Sequence, residues 1–127
     1  MSICETQGVK VTARPSFLIE QSQPDRNKWV WAYEITVINA GEEAIQLVDR
    51  HWVITDAGGE VEEVRGEGVV GQQPVIEPGD SFSYQSFCPL ATEHGFMRGA
   101  FGMVKADGSR FEAAVAPVVL LTLAQVN

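Results

Sequence analysis

Six residues in the middle of the chain, Gly66-Glu67-Gly68-Val69-Val70-Gly71, fit the GxGxxG spacing that lets a backbone approach a pyrophosphate at the start of a helix. A dinucleotide site needs that helix behind the glycines, and Gln72-Gln73-Pro74 followed by Pro78 leaves no room for one. Two uses remain for the segment. The glycines supply positive φ to a bent loop, or a helix-free nest of N–H groups holds a phosphate or smaller anion. In the second case Gly66, Gly68 and Gly71 form the cradle and Arg50 or Arg65 lends charge, against the opposing field of Glu62, Glu63 and Glu67.

Other chemistry has less support. His51 and His94 are the only histidines and stand in no ligand spacing, and Cys88 has no cysteine nearby, so no protein-held zinc site is expected. Asp56, Glu60, Glu62 and Glu63 offer oxygens to a weak, mostly hydrated Mg²⁺ or Co²⁺, although acidic hairpins of this kind are ordinarily just solvated. Cys88 and His94 lie six apart across Pro89, with nothing to orient the imidazole or build an oxyanion hole, and Ser86 belongs to a strand pattern rather than a nucleophile elbow. No catalytic residue and no required cofactor are expected, and the chain reads as non-enzymatic. Arg50 alternates onto the side of Trp52 and Ile54 at the rim of a core, where a guanidinium needs a carboxylate or carbonyl partner.

The elements that would position these groups are strands. Trp29, Trp31, Tyr33, Ile35 and Val37 alternate with polar Glu34 and Thr36; Val9, Val11 and Ala13 alternate with Lys10, Thr12 and Arg14. Phe82, Tyr84, Ser86 and Cys88 share a face against Ser81, Ser83 and Gln85, Met97, Gly99, Phe101 and Met103 share another, and Phe111, Ala113 and Val115 follow. Pro15 reads as an interruption of an edge strand that resumes at Phe17 and Ile19. Turn signals at Asn39-Ala40-Gly41, Asp56-Ala57-Gly58-Gly59, Pro78-Gly79-Asp80 and Asp107-Gly108 punctuate the runs, the last as a tight hairpin tip. About seven or eight short strands without helical periodicity predict an all-β antiparallel sandwich.

At 127 residues, with 45% hydrophobic and 20% charged residues, the chain suits one domain spanning residues 1–127 with a sizeable core. Residues 1–6 and 123–127 are expected to fray. The net charge of −8 would repel a polyanion, which argues against nucleic acid as a partner. No apolar run is long enough to span a bilayer, so no membrane insertion is expected. Cys4 and Cys88 stand apart without disulfide-type spacing, and residues 1–14 lack the order of a signal peptide; together these favour the cytoplasm.

Residues 50–86 carry a set of motifs in one order: Arg50-His51-Trp52 with Ile54-Thr55-Asp56, Glu63-Val64, Gly66-x-Gly68-Val69-Val70-Gly71 with Gln73-Pro74, Pro78-Gly79, and Phe82-x-Tyr84-x-Ser86. In these the chain resembles the bacterial ApaG family (DUF525-type domain). The resemblance runs from about Val9 to Leu123. It implies an immunoglobulin-like or fibronectin type III-like sandwich and an association with cobalt and magnesium efflux and resistance. ApaG-like domains also occur appended to eukaryotic adaptors such as F-box proteins, which implies recognition rather than turnover, and the family name ties them to the genetic neighbourhood of diadenosine tetraphosphate hydrolysis. The chain departs from the family pattern at Phe87 and Phe96, which add apolar bulk beside the loop they flank.

The expected function is therefore that of a non-enzymatic interaction module with an unidentified protein partner, binding through an edge strand or a loop face, and either monomeric or paired with a second copy along an edge. The alternative is a small-ligand domain that binds or hydrolyses a pyrophosphate-containing nucleotide with a divalent cation at the glycine loop.

Overall fold

The computed structural model describes residues 1–122; the expectation that residues 123–127 fray lies outside them. Among the described residues nine strands follow one another: β1 (Ser2–Thr6), β2 (Val9–Phe17), β3 (Trp29–Asn39), β4 (Ile45–Asp56), β5 (Val61–Glu67), the two-residue β6 (Val75–Ile76), β7 (Ser81–Leu90), β8 (Gly95–Lys105) and β9 (Arg110–Leu120). Two short 3-10 turns, at Ile19–Gln21 and Pro24–Arg26, are the only helical elements among the described residues, and no helix is long and apolar enough to cross a membrane.

Every strand pairing among the described residues is antiparallel. One sheet has the order β1-β2-β3-β7; the other has β5-β4-β8-β9, with β6 also paired to β4. The protein is thus an antiparallel β-sandwich of the immunoglobulin-like or fibronectin type III-like kind. Alternation places Trp31, Ile35 and Val37 of β3 and Leu47, Phe101 and Met103 of the opposite sheet in one core with no or almost no exposure. Full burial of side chains this large stabilises the fold by about 1.5–3 kcal/mol each. The two sheets do not close equally on both sides. The edge strands β1 and β9 lie close together, with Ala114 N–H donating to Thr6 Oγ1 at 3.3 Å, whereas β5 and β7 make little contact.

The structure corrects three readings of the N-terminal region and the turns. Residues 2–6 do not fray: they pair with β2 from Ser2↔Ala13 to Thr6↔Val9. The hairpin rests on Gln7 (φ 47°) and Gly8 (φ 82°), a primed-type turn without the Asn-Gly or Asp-Gly signature. Pro15 does not divide a strand. β2 runs through it opposite Tyr33, beyond the last β1 partner at Ala13, where one side of the strand is open; Ile19 lies outside the strand in a 3-10 turn. Asp107-Gly108 is not a two-residue primed turn, because only Gly108 has positive φ. Gly108 N–H donates to Lys105 O and Lys105 N–H to Ser109 O, a longer tip braced by Asp107 Oδ1, which accepts from Ser109 N and Oγ.

At one end of the sandwich a groove of about 540 Å³ is bordered by Met1, Phe17, Pro117, Val119 and Leu121. Trp31 Nε1 donates to Leu121 O there at 2.8 Å, tying the end of β9 to the first sheet.

Candidate functional site: an arginine-fastened glycine loop

The glycine motif spans the end of β5 and the loop after it. Gly66 pairs with Arg50 across β4 and β5, and the guanidinium lies over it: a Cβ at position 66 would stand 2.7 Å from Arg50 Nη2. Arg50 Nη1 donates to Glu67 O at 3.1 Å and Gly68 O at 2.8 Å. The carbonyl partner that the sequence demanded for Arg50 is the glycine loop itself.

Beyond Gly66 the loop folds back on β4. Leu47 and Asp49 flank a β-bulge at Val48, whose carbonyl accepts from Gly68 N at 2.8 Å and from Gln73 Nε2 at 2.7 Å. Gly68 has φ +65°, and a Cβ there would collide with Gln72 O. Val69 and Gln72 exchange backbone hydrogen bonds at 2.8 and 2.9 Å around Val70 (φ 44°) and Gly71 (φ 80°). Val69 is fully buried; Val70 is exposed. The chain then passes into β6 and not into a helix, which removes the dinucleotide geometry. The N–H groups of Gly68, Val69 and Gln72 are all donated to carbonyls within the fold.

The two candidate arginines are on opposite faces. Arg50 shares the inner face with Trp52, whereas Arg65 pairs with His51 on the outer face. There His51 Nε2 lies 3.1 Å from Glu63 Oε1, and Arg110 reaches Asp49 Oδ2 at 2.8 Å and Glu112 Oε1 at 3.1 Å, crossing the strands above Gly102, where a Cβ would strike both Asp49 and Arg110. These pairs are solvent-exposed and contribute little to stability.

Inward of Arg50 stands an aromatic cluster. Trp52 meets Tyr33 edge-on at 5.5 Å and Phe101 at 5.8 Å, and Tyr84 meets Phe101 at 6.2 Å. Trp52 Nε1 and Tyr84 OH approach each other in the interior without reaching full hydrogen-bond geometry. Burial raises the pKa of Tyr84 and Tyr33; the nearby Arg50 charge opposes this in both. Cys88 is buried on the inner face of β7, and desolvation, followed by the charge of Glu62, pushes its thiol up to about 11. It is a protonated thiol at neutral pH. His94 is exposed in the loop between β7 and β8.

Of the acidic hairpin, Asp56 is bound to its own turn, its Oδ1 accepting from Gly58 N at 2.8 Å and Glu60 N at 3.0 Å. Among the described residues no three His, Cys, Asp or Glu side chains converge on a point where a metal ion would sit.

Sequence reasoning missed Asn39, the one buried polar side chain among the described residues beside the core hydrophobics. Its Nδ2 donates to Glu43 O at 2.7 Å and Ile76 O at 2.9 Å, and its Oδ1 accepts from Gly41 N at 3.0 Å, so it joins the end of β3 to β6 and the intervening turn. An asparagine ending an alternating strand and preceding Ala-Gly was the available signal.

Fold and loop together define a two-sheet β-sandwich domain in which an arginine on β4 fastens a glycine loop across a bulge. The ApaG domain (DUF525) matches residues 19–105. Protein ApaG of Anaeromyxobacter dehalogenans is 50% identical over the full length of both chains, and Protein ApaG of Rhodospirillum centenum is 52% identical over 87% of this chain and 85% of its own. The crystal structure of an ApaA protein from Bordetella pertussis superposes with a TM-score of 0.89 at 43% identity, covering 91% of this chain and 94% of that one. The chain belongs to the ApaG family.

Proposed function

We propose that this ApaG protein is a non-enzymatic interaction module, a rigid β-sandwich that recognises another protein. The observation that carries the reading is the internal commitment of its candidate chemical groups. Arg50 is bonded to loop carbonyls, three loop N–H groups are donated within the fold, and Cys88 is a buried thiol. A scaffold of this kind offers surface rather than reactive groups. The expected setting is the cytoplasm, and the family's association with cobalt and magnesium tolerance then runs through a partner rather than through ion transport by this chain.

The test is a pair of measurements on one ¹⁵N-labelled sample and its affinity-tagged counterpart. Titration with ATP, diphosphate, Mg²⁺ and Co²⁺ is expected to leave the amides of Gly66, Gly68 and Gly71 unmoved, while capture from an extract of the source cells retains a defined protein in stoichiometric amount. Saturable shifts centred on those three glycines, with no protein retained, would transfer the assignment to a nucleotide-binding domain.

A further inference from the structure

Among the described residues five strands have a free edge: β1 and β7 in one sheet, β5, β6 and β9 in the other. All but β7 carry deterrents to the addition of another strand, β6 by being only two residues long. β1 is five residues long. β9 lies against β1, contains Pro117, and shifts register opposite Met97 and Gly99. β5 has Glu62, Glu63, Arg65 and Glu67 among its seven residues.

β7 has almost none. Its ten residues, SFSYQSFCPL, include no charged side chain, and the one proline, Pro89, is next to last. Among the described residues β7 pairs with β3 alone, in unbroken register from Trp29↔Leu90 to Ile38↔Ser81. Phe87, on its outer face, is 55% exposed. A long, uncharged edge in unbroken register is a template for main-chain pairing. On this side of the sandwich β5 makes few contacts with β7, and the β4–β5 turn meets the loop after β7 where Ala57 N–H donates to Thr92 Oγ1.

Charge restricts the occupant. Where β7 ends at Pro89 and Leu90, a recess of about 290 Å³ separates it from the β4–β5 hairpin, and Asp56, Glu60 and Glu62 stand in its wall. A second copy of this chain paired β7 to β7 would bring no cation from that strand to the recess, since β7 has no Lys or Arg and is flanked by Glu77, Asp80 and Glu93. We infer that the β7 edge accepts an extended segment of a partner protein, and that this segment carries a lysine or arginine placed to enter the Asp56-Glu60-Glu62 recess. The inference rests on the interaction-module reading and gives that module its binding edge and the chemistry of its partner.

The test is selection from a displayed library of random ten-residue peptides against the full chain, followed by amide NMR and hydrogen exchange with the tightest peptide. Alternating β-branched or aromatic residues with a basic residue near one end are expected, together with new exchange protection confined to residues 81–88. Exchanging that basic residue for glutamate should weaken binding about tenfold, and Glu62→Gln should remove most of the difference. Gln85→Lys sets a charge on the edge opposite Glu34 and should weaken the peptide about tenfold without lowering the thermal midpoint. Selected peptides without basic preference, protection on another strand, or a dimer in sedimentation equilibrium that Gln85→Lys dissociates would each overturn the inference. Cell-extract capture separates the two levels. If Gln85→Lys still retains the partner, the module stands and this edge assignment falls; if the unaltered chain retains nothing, the module itself falls.

Discussion

The guanidinium of Arg50 lies over Gly66 on the neighbouring strand and donates past it to the carbonyls of Glu67 and Gly68. The glycine is required by its cross-strand partner, since its own φ is not positive. Gly66→Ala is therefore expected to displace Arg50 and destabilise the fold by about 1–2 kcal/mol, and Arg50→Ala by a similar amount. With both changes made, the loss should fall short of the sum, because the second removes a contact the first has already broken. Urea denaturation of the four proteins measures the coupling, and strict additivity would refute it.

Val70 is exposed at φ 44°, a left-handed conformation that its β-branched side chain opposes, and it is the first of two positive-φ residues in the Val69–Gln72 turn. Asparagine is favoured at such a position. Val70→Asn should stabilise the protein by about 1 kcal/mol, raising the thermal midpoint by roughly 3–5 °C. An unchanged or lower midpoint in calorimetry would count against the strain.

Asn39→Leu leaves the carbonyls of Glu43 and Ile76 and the N–H of Gly41 without their side-chain partner. A loss of about 2–4 kcal/mol is expected. In native-state hydrogen exchange the amides around Gly41 and Ile76 should lose protection before those of β3.

Cys88 has its pKa raised by burial, so the folded protein holds this proton more tightly than the unfolded chain does. The stability it contributes is complete below the ordinary thiol value of 9.0 and is lost as pH rises towards about 11, a decline of about 2–3 kcal/mol. Tyr33 and Tyr84, also raised, act in the same direction at higher pH. Urea midpoints measured at intervals from pH 8 to 11 should fall, and Cys88→Val should flatten the first part of that fall.

Strand positions were legible because each sheet buries one face, so Tyr33, Ile35 and Val37 alternate with Glu34 and Thr36, which meet the outside, although Val30 and Ala32 further back along the strand are buried as well. Turns were legible where their chemistry is local, as at Pro78-Gly79, where Gly79 has φ 85° and Asp80 N–H donates to Glu77 O. They were not where tertiary context overrides preference: Gln7-Gly8 and Val70-Gly71 adopt the double positive φ that Asp107-Gly108 was expected to show. The loop's real role was hidden for a related reason. GxGxxG spacing is visible along the chain, but the residue that explains Gly66 stands on another strand, and the bulge that receives Gly68 depends on how β4 registers with β8. The five candidate residues consequently do not form one cluster, since Arg65 stands on the face opposite Arg50.

Met1 and Leu121 border the same groove, and Trp31 holds the end of β9 at that spot. A short bridge across it would join β9 to β1, and the exposed tip at Asp107 and Gly108 offers a place to cut. A circular permutant beginning at Ser109 would keep every strand neighbour found among the described residues, while β9 would precede β1 along the chain.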